Sequence, residues 1–183
     1  MFLLRHGQSY FNLHFNLTRV DPGIEDPELT PLGMQQAAAA AQKLANAPLT
    51  RIIVSPYTRA LQTAQPFLES HDAPVDIMSE VRERTAFVCD VGSTPESLAA
   101  RFPHHSFGHL PRRWWHPGIE SAEETTARAN AFRTWIAARG DSATTLVISH
   151  WAFILALSGS SVANGEILQF DPAQSPPAGV QPR

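Results

Sequence analysis

Short apolar runs alternate with longer segments of helical periodicity along most of this chain. The runs Phe2–Leu4, "RIIVS" (51–55) and "TTLVIS" (144–149) predict buried strands, and "APVDIM" (73–78) predicts another. "EILQF" (166–170) alternates between apolar and polar residues, which is typical of a strand at a sheet edge.

The segments between these runs predict helices. A short one covers Tyr10 to Leu17, and a strong one covers 29–47, with Thr30 as N-cap and an alanine-rich interior. A third helix begins at Pro56, and we expect Pro66 to end or kink it.

Two further helices follow a mixed region that covers residues 80–120. Ser121 and Glu124 form the pattern of a capping box, and Gly140 is expected to close that helix. "HWAFILAL" (150–157) predicts the last helix.

Because strands alternate with helices, the chain is expected to form an α/β fold, a three-layer αβα sandwich with a mostly parallel central sheet. We expect a single domain over 1–183. Residues 171–183 are rich in proline and are predicted to form a loosely held tail.

Composition narrows the classes of protein. The 183 residues are 43% hydrophobic and 17% charged, with a net charge of -3 and a single cysteine, Cys89. A slightly acidic chain does not favour nucleic acid or an anionic membrane as partner. Since Arg5 and His6 interrupt the N-terminal apolar run, and no apolar stretch approaches about 20 residues, we expect a cytoplasmic protein.

Cationic residues follow three of the predicted strands. In an open α/β sheet, ligands bind beyond the carboxyl ends of the strands, so these junctions should meet at one edge. The first junction contains Arg5 and His6, followed by Gly7. The second contains Ser55 and then Arg59, and the third contains His150, after the strand at 145–149.

An anion explains such a cluster. A cation at a helix N-terminus costs about 0.3–1 kcal/mol unless a negative group neutralises it. Arginine forks and free backbone N–H groups both favour phosphate. Gly7 would let the backbone approach the ligand closely. The junctions therefore predict an oxyanion pocket.

At this point the chain resembles the histidine phosphatase superfamily, which includes the phosphoglycerate mutases and many small phosphatases. The resemblance covers nearly the whole chain. It rests on "LLRHGQSYFN" (3–12), "LTPLGMQQA" (29–37), "SPYTRALQTA" (55–64), Glu83 in "VRE", "SH" (149–150) and "NGEI" (164–167).

The resemblance implies a phosphoglycerate mutase-like fold and a role for each matching residue. His6 would be the nucleophile that forms a phosphohistidine. Glu83 would be the general acid and then the base that activates water. Arg5, Arg59 and His150 would hold the phosphoryl group, and Ser9 and Asn12 would lie near it.

Physical chemistry is consistent with these roles. A phosphoryl group in transfer spreads charge over its oxygens, so two arginines and a protonated His150 would stabilise it without a metal ion or cofactor. An alkoxide leaves poorly unless it is protonated, which requires a carboxylic acid of raised pKa. Glu80 and Asp90 are nearby alternatives to Glu83, and a surface salt bridge of Glu83 with a neighbouring arginine also stays open.

Trp151 departs from the family pattern, which usually has glycine after the second histidine. Its indole would either narrow the mouth of the pocket or pack in the core.

Residues 84–120 correspond to part of the family's lid and are expected to set the substrate. Arg112, Arg113, Trp114 and Trp115 would suit an anionic or aromatic substrate, or the tryptophans would anchor the lid to the core. Cys89 would contact substrate or be a small buried apolar residue. Four histidines also lie in this region, but their irregular spacing does not favour a metal site; they are His104, His105, His109 and His116.

The function expected from these observations is a metal-independent phosphatase acting on a small phosphomonoester. A phosphoglycerate mutase is an alternative, although mutases of the family are usually longer. A phosphohistidine protein phosphatase is another, but those relatives have little lid. A non-catalytic phosphate-binding protein on the same fold is disfavoured by the intact set of nucleophile and acid. The sequence does not indicate the oligomeric state.

Overall fold

The computed structural model describes residues 1–175, and its centre is a five-stranded sheet. The strands are β1 (Phe2–Arg5), β2 (Arg51–Val54), β3 (Val75–Ile77), β4 (Thr145–Ser149) and β5 (Ile167–Gln169). Their order is β3-β2-β4-β1-β5, and only the edge strand β5 runs antiparallel to its neighbour. The predicted mostly parallel sheet is confirmed.

The described part of the chain has six α-helices, and all of them except α1 contribute buried residues to the cores on the two faces of the sheet. They are α1 (Tyr10–Thr18), α2 (Pro31–Lys43), α3 (Thr58–Ser70), α4 (Pro95–Arg101), α5 (Ala122–Ala137) and α6 (Trp151–Ser158).

Alternation along the strands separates two apolar cores. Leu4 and Ile148 face the core formed with α2, α3 and α4, whereas Leu3 and Val147 face the core formed with α5 and α6. Successive side chains of a strand point to opposite faces, so two helical layers can each cover one face. The three-layer sandwich is thereby confirmed.

Several helix boundaries differ from the sequence-based predictions, and α2 is shorter than the predicted 29–47. Helix α3 begins at Thr58 and continues through Pro66 to Ser70, so Pro66 does not end it. Leu61, Ala64 and Phe67 are fully buried on that helix, and their packing outweighs the hydrogen bond that a proline removes. Helix α5 ends at Ala137, before the expected Gly140.

The start of the predicted tail is tied to the body of the protein. Gln174 accepts a hydrogen bond from Arg133 Nη1 at 2.8 Å, and Pro172 is buried. The rest of that prediction, for 176–183, lies outside the described residues. Within 1–175, every helix is too short or too polar to cross a bilayer.

The topology places the three predicted junctions together. Arg5 pairs with Ser149 in the parallel register of β1 and β4, and Val54 pairs with Ile148 in that of β2 and β4. The residues that follow these strands, His6, His150 and Ser55, therefore lie side by side at the carboxyl edge of the sheet.

Candidate active site

A cavity of about 440 Å³ lies at this edge. Its size falls in the range of small-molecule sites. The predicted site residues that line it are Arg5, His6, Ser9, Asn12, Arg59, Glu83 and Trp151. His150 and Gly7 lie behind these, and Arg112, Arg113, Trp114 and Trp115 lie elsewhere.

His6 has the form of a neutral nucleophile. Its Nδ1 lies 2.7 Å from the Gly7 carbonyl oxygen, which can only accept, so Nδ1 carries the proton and Nε2 keeps its lone pair. Burial lowers the pKa of His6 well below its usual range, and the nearby Arg59 and Arg5 lower it further. The ring is therefore uncharged at neutral pH.

His150 is fully buried behind the nucleophile and does not line the cavity. Its ring centroid lies 5.0 Å from that of His6, and its Nε2 lies 2.7 Å from Ser55 Oγ. Its Nδ1 is buried and has no hydrogen-bond partner among the described residues. Burial, Arg59 and His6 lower the pKa of His150 well below its usual range. In the absence of an anion, His150 is thus neutral; the protonated form expected from the sequence is the one with a phosphoryl group bound, and it stays a prediction.

Arg5 presents a fixed cation to the cavity. Its Nη1 donates to the Val162 carbonyl at 2.8 Å, which orients the guanidinium. Its Nε is buried and has no partner among the described residues. A buried donor left unpaired costs about 1–3 kcal/mol, so this face of Arg5 favours an incoming acceptor.

Arg59 is held in place by the buried carboxylate of Asp90. Its Nη2 lies 3.1 Å from Asp90 Oδ1, both side chains are almost fully buried, and its Nη1 donates to the Cys89 carbonyl. The guanidinium also lies 4.3 Å over the ring of Tyr57. Asp90 accepts further hydrogen bonds from backbone N–H groups of the loop after Glu83.

Replacement of Asp90 by alanine is expected to reduce the free energy of unfolding by about 3–5 kcal/mol, because it leaves a buried arginine charge without its counterion. Urea denaturation of both proteins measures this difference. Glu28→Ala is the control, because Glu28 forms an exposed ion pair with Arg101, which contributes only about 0–1 kcal/mol. Equal losses in the two variants would contradict a structural role for the Arg59–Asp90 pair.

Glu83 is a carboxyl group of raised pKa on the wall of the cavity. Burial is the main cause, and the charge of Asp90 adds to it. Its Oε1 accepts hydrogen bonds from Ala152 N at 3.0 Å and Arg84 N at 2.9 Å, which oppose the shift. Ala152 lies in the first turn of α6, so Glu83 is fixed by a helix N-terminus and not by a surface salt bridge.

Gly7 has a structural role that the sequence did not predict. It does not line the cavity, and its N–H donates to Thr63 Oγ1 at 3.1 Å. A Cβ atom at Gly7 would lie 2.3 Å from the backbone oxygen of Gly33 in α2. Glycine is needed there because α2 packs directly on the backbone after β1.

Ser9 and Asn12 line the cavity and organise the start of α1. They form a reciprocal capping box, in which Ser9 Oγ accepts from Asn12 N and Asn12 Oδ1 accepts from Ser9 N. Asn164 of the "NGEI" motif joins them, since its Nδ2 donates to Asn12 Oδ1 and to the His6 carbonyl. These contacts fix the backbone that carries the nucleophile.

The region predicted as a lid is divided between cavity and core. Trp114 is buried, donates from Nε1 to the Ser93 carbonyl, and packs edge-on against Tyr57 at 4.6 Å. Trp115 packs on Trp114, while Arg112 and Arg113 are exposed. These four residues do not line the cavity, and the tryptophans are anchors.

The part of this region that does reach the cavity is its first segment, at 84–90. Cys89 lines the cavity but is buried, and burial raises the pKa of its thiol, so it is not a thiolate. Trp151 also lines the cavity, and its indole donates to Ser161 Oγ at 3.0 Å. It narrows the site and does not pack in the core.

Comparison with known proteins identifies the family. Residues 1–179 match the histidine phosphatase superfamily (branch 1). The chain belongs to this superfamily. The expectation of a histidine phosphatase is confirmed by phosphatases among its relatives.

Two relatives illustrate the range of the superfamily. A 2,3-bisphosphoglycerate-dependent phosphoglycerate mutase of Methylocella silvestris is 30% identical over 165 residues, which is 80% of this chain and 78% of the mutase. A glucosyl-3-phosphoglycerate phosphatase of Mycolicibacterium vanbaalenii is 37% identical over 81 residues, 44% of this chain and 34% of that protein.

Solved structures confirm the fold. A mycobacterial glucosyl-3-phosphoglycerate phosphatase in complex with VO3 superposes with a TM-score of 0.62 at 24% identity, covering 91% of this chain and 88% of that one. Within the described residues, histidine, cysteine and carboxylate side chains form no group of three that could hold a metal ion.

Proposed function

We propose that this chain hydrolyses a small phosphomonoester through a phosphohistidine on His6, without a metal ion. The observation that carries the proposal is a neutral His6, with its Nε2 lone pair available, in a cavity shared with Arg5 and Arg59 and with a carboxyl group of raised pKa, Glu83. Binding alone would need neither the nucleophile nor the acid.

The first step transfers the phosphoryl group. His6 Nε2 attacks phosphorus, the ester P–O bond breaks, and the proton of Glu83 passes to the leaving oxygen. Arg5 Nε supplies a free donor for a phosphoryl oxygen, and Arg59 supplies positive charge at the base of the cavity.

The second step returns the enzyme to its starting state. The Glu83 carboxylate takes a proton from water, whose oxygen attacks phosphorus and breaks the N–P bond. Inorganic phosphate leaves, and His6 is neutral again. During both steps the phosphoryl charge would raise the pKa of His150 and so let its unpartnered Nδ1 donate.

A phosphoglycerate mutase is the second candidate, since one is 30% identical over most of both chains. Incubation of the protein with alkyl phosphomonoesters and, separately, with 3-phosphoglycerate distinguishes the two. We expect release of inorganic phosphate from the esters, and no 2-phosphoglycerate. Isomerisation without phosphate release would support the mutase, and no reaction of either kind would overturn both enzymatic functions.

A further inference from the structure

Three phenylalanines form one wall of the cavity, which we call the aromatic wall: Phe11 and Phe15 of α1, and Phe87. The rings of Phe11 and Phe15 are stacked with centroids 5.1 Å apart, and Phe87 lies 5.3 Å from Phe11 and 5.1 Å from Phe15. Each pair has the spacing of a favourable aromatic contact. The wall is therefore a continuous aromatic surface.

Part of this surface is open to solvent. Phe87 is 41% exposed and Phe15 is half-buried, whereas the third ring of the wall, that of Phe11, is buried. Exposed apolar surface that lines a cavity marks a binding site more often than a lone exposed residue does.

The wall is also held in place before any ligand binds. Phe11 and Phe15 are one turn apart on α1, whose first turn is fixed by the Ser9 capping box. The backbone N–H of Phe87 donates to Asp90 Oδ2 at 3.1 Å, and the next N–H, of Val88, donates to Asp21 Oδ2 at 2.9 Å. A surface that is already ordered loses little entropy on binding.

The wall lies where the non-reacting part of an ester must lie. The phosphoryl group would bind at Arg5, His6 and Arg59, and α1 begins only four positions after His6 in sequence. A polyol or glycerate moiety would leave its hydroxyl groups unpaired against phenyl rings, and such mismatches are strongly discriminated. Polar groups also line the cavity, among them Arg84 and, toward the exposed end of α1, Asn16 and Arg19, whose guanidinium lies 5.9 Å from the centre of the Phe15 ring.

We propose that the substrate is a phosphomonoester whose leaving group is aromatic and stacks on the Phe11–Phe15–Phe87 wall. This assignment rests on the proposed phosphatase function and adds the class of substrate. It also gives the first segment of the predicted lid a role, since Phe87 belongs to it.

Alkyl esters test the assignment without a difference in leaving-group reactivity. Benzyl, cyclohexylmethyl and ethyl phosphate all release an alcohol, so their kcat/KM values compare contacts and not chemistry. We expect kcat/KM for benzyl phosphate to be higher than that for ethyl phosphate by on the order of 100-fold. It should also be higher than that for cyclohexylmethyl phosphate, by about 3-fold or more. Equal values for benzyl and ethyl phosphate would overturn the proposal, and equal values for the two ring esters would overturn its aromatic character.

Variants locate the effect on the wall. Phe15→Ala and Phe87→Ala should each lower the benzyl-to-ethyl ratio by about 10-fold. Leu17→Ala is the matched control, because Leu17 is on the same helix but is 78% exposed and does not line the cavity. A ratio that is unchanged in both phenylalanine variants would overturn the assignment.

A binding measurement separates this proposal from the proposed catalysis. Benzylphosphonate and methylphosphonate cannot be hydrolysed, and calorimetry gives their Kd values for the wild type and for Phe87→Ala. We expect the wild type to bind benzylphosphonate at least about 10-fold more tightly than methylphosphonate, and Phe87→Ala to show a smaller difference between the two Kd values. Tighter binding of benzylphosphonate without turnover of any ester would support the aromatic wall as a binding site and overturn the phosphatase function. Ester turnover with equal Kd values for the two phosphonates would support the phosphatase function and overturn the aromatic-wall proposal.

Discussion

Replacement of His6 by alanine is expected to lower kcat for phosphomonoester hydrolysis by a factor on the order of 10⁴ or more, because the group that forms the covalent intermediate is gone. The fold should survive, since among the described residues the His6 side chain makes one hydrogen bond, to the neighbouring Gly7 carbonyl. The loss therefore reports on chemistry and not on stability.

Two measurements check this expectation. Steady-state phosphate release compares the wild type with His6→Ala and with His104→Ala, a control at an exposed histidine that does not line the cavity. Rapid acid and base quenching should find a phosphoenzyme in the wild type that is labile to acid and stable to base, and none in His6→Ala. Turnover of His6→Ala at the wild-type rate would remove the proposed mechanism.

The sequence predicted those parts of the site that depend on strand ends. Arg5, His6 and His150 each lie at or directly after a strand, so the parallel order of the sheet was enough to bring them together. Local signals such as the capping box at Ser121 and Glu124 were likewise readable, because both partners lie within one turn.

The remaining features depend on contacts between distant segments. Asp90, which pairs with Arg59, lies about thirty positions after it in sequence, and the Phe87 ring contacts that of Phe11 although more than seventy positions separate them. Glycine is required at position 7 because the backbone of Gly33 packs against it, and no local sequence pattern indicates this contact. The lowered pKa of His150 in the ligand-free site was also not predictable, because burial and neighbouring cations cause it and neither is visible in a sequence.

The same distant contacts decide the charge balance of the pocket. Asp90 neutralises part of Arg59, whereas Arg5 keeps a buried Nε donor that has no partner among the described residues. Asp90 also raises the pKa of Glu83, with burial as the larger cause. One loop residue thus fixes a cation for phosphate and favours the protonated form of the acid.

Replacement of Glu83 by glutamine is expected to lower kcat for alkyl phosphomonoesters by about 10²–10⁴-fold, because an alkoxide leaves poorly without a proton. Glutamine keeps an oxygen that can accept from Ala152 N, so the position of the side chain is preserved. Glu80→Gln is the matched control, since Glu80 lies three residues earlier, is exposed and does not line the cavity.

The pH profile shows whether Glu83 is the acid. His6 reacts when neutral, and its lowered pKa means that this requirement is met as pH rises through a value well below the usual histidine range. Glu83 acts when protonated, and its raised pKa means that activity is lost only as pH rises beyond the usual carboxyl range. A bell-shaped dependence of kcat/KM on pH follows, with the falling limb due to Glu83. Glu83→Gln should lose that limb, whereas Glu80→Gln should keep it; an unchanged falling limb in Glu83→Gln would assign the acid to another group.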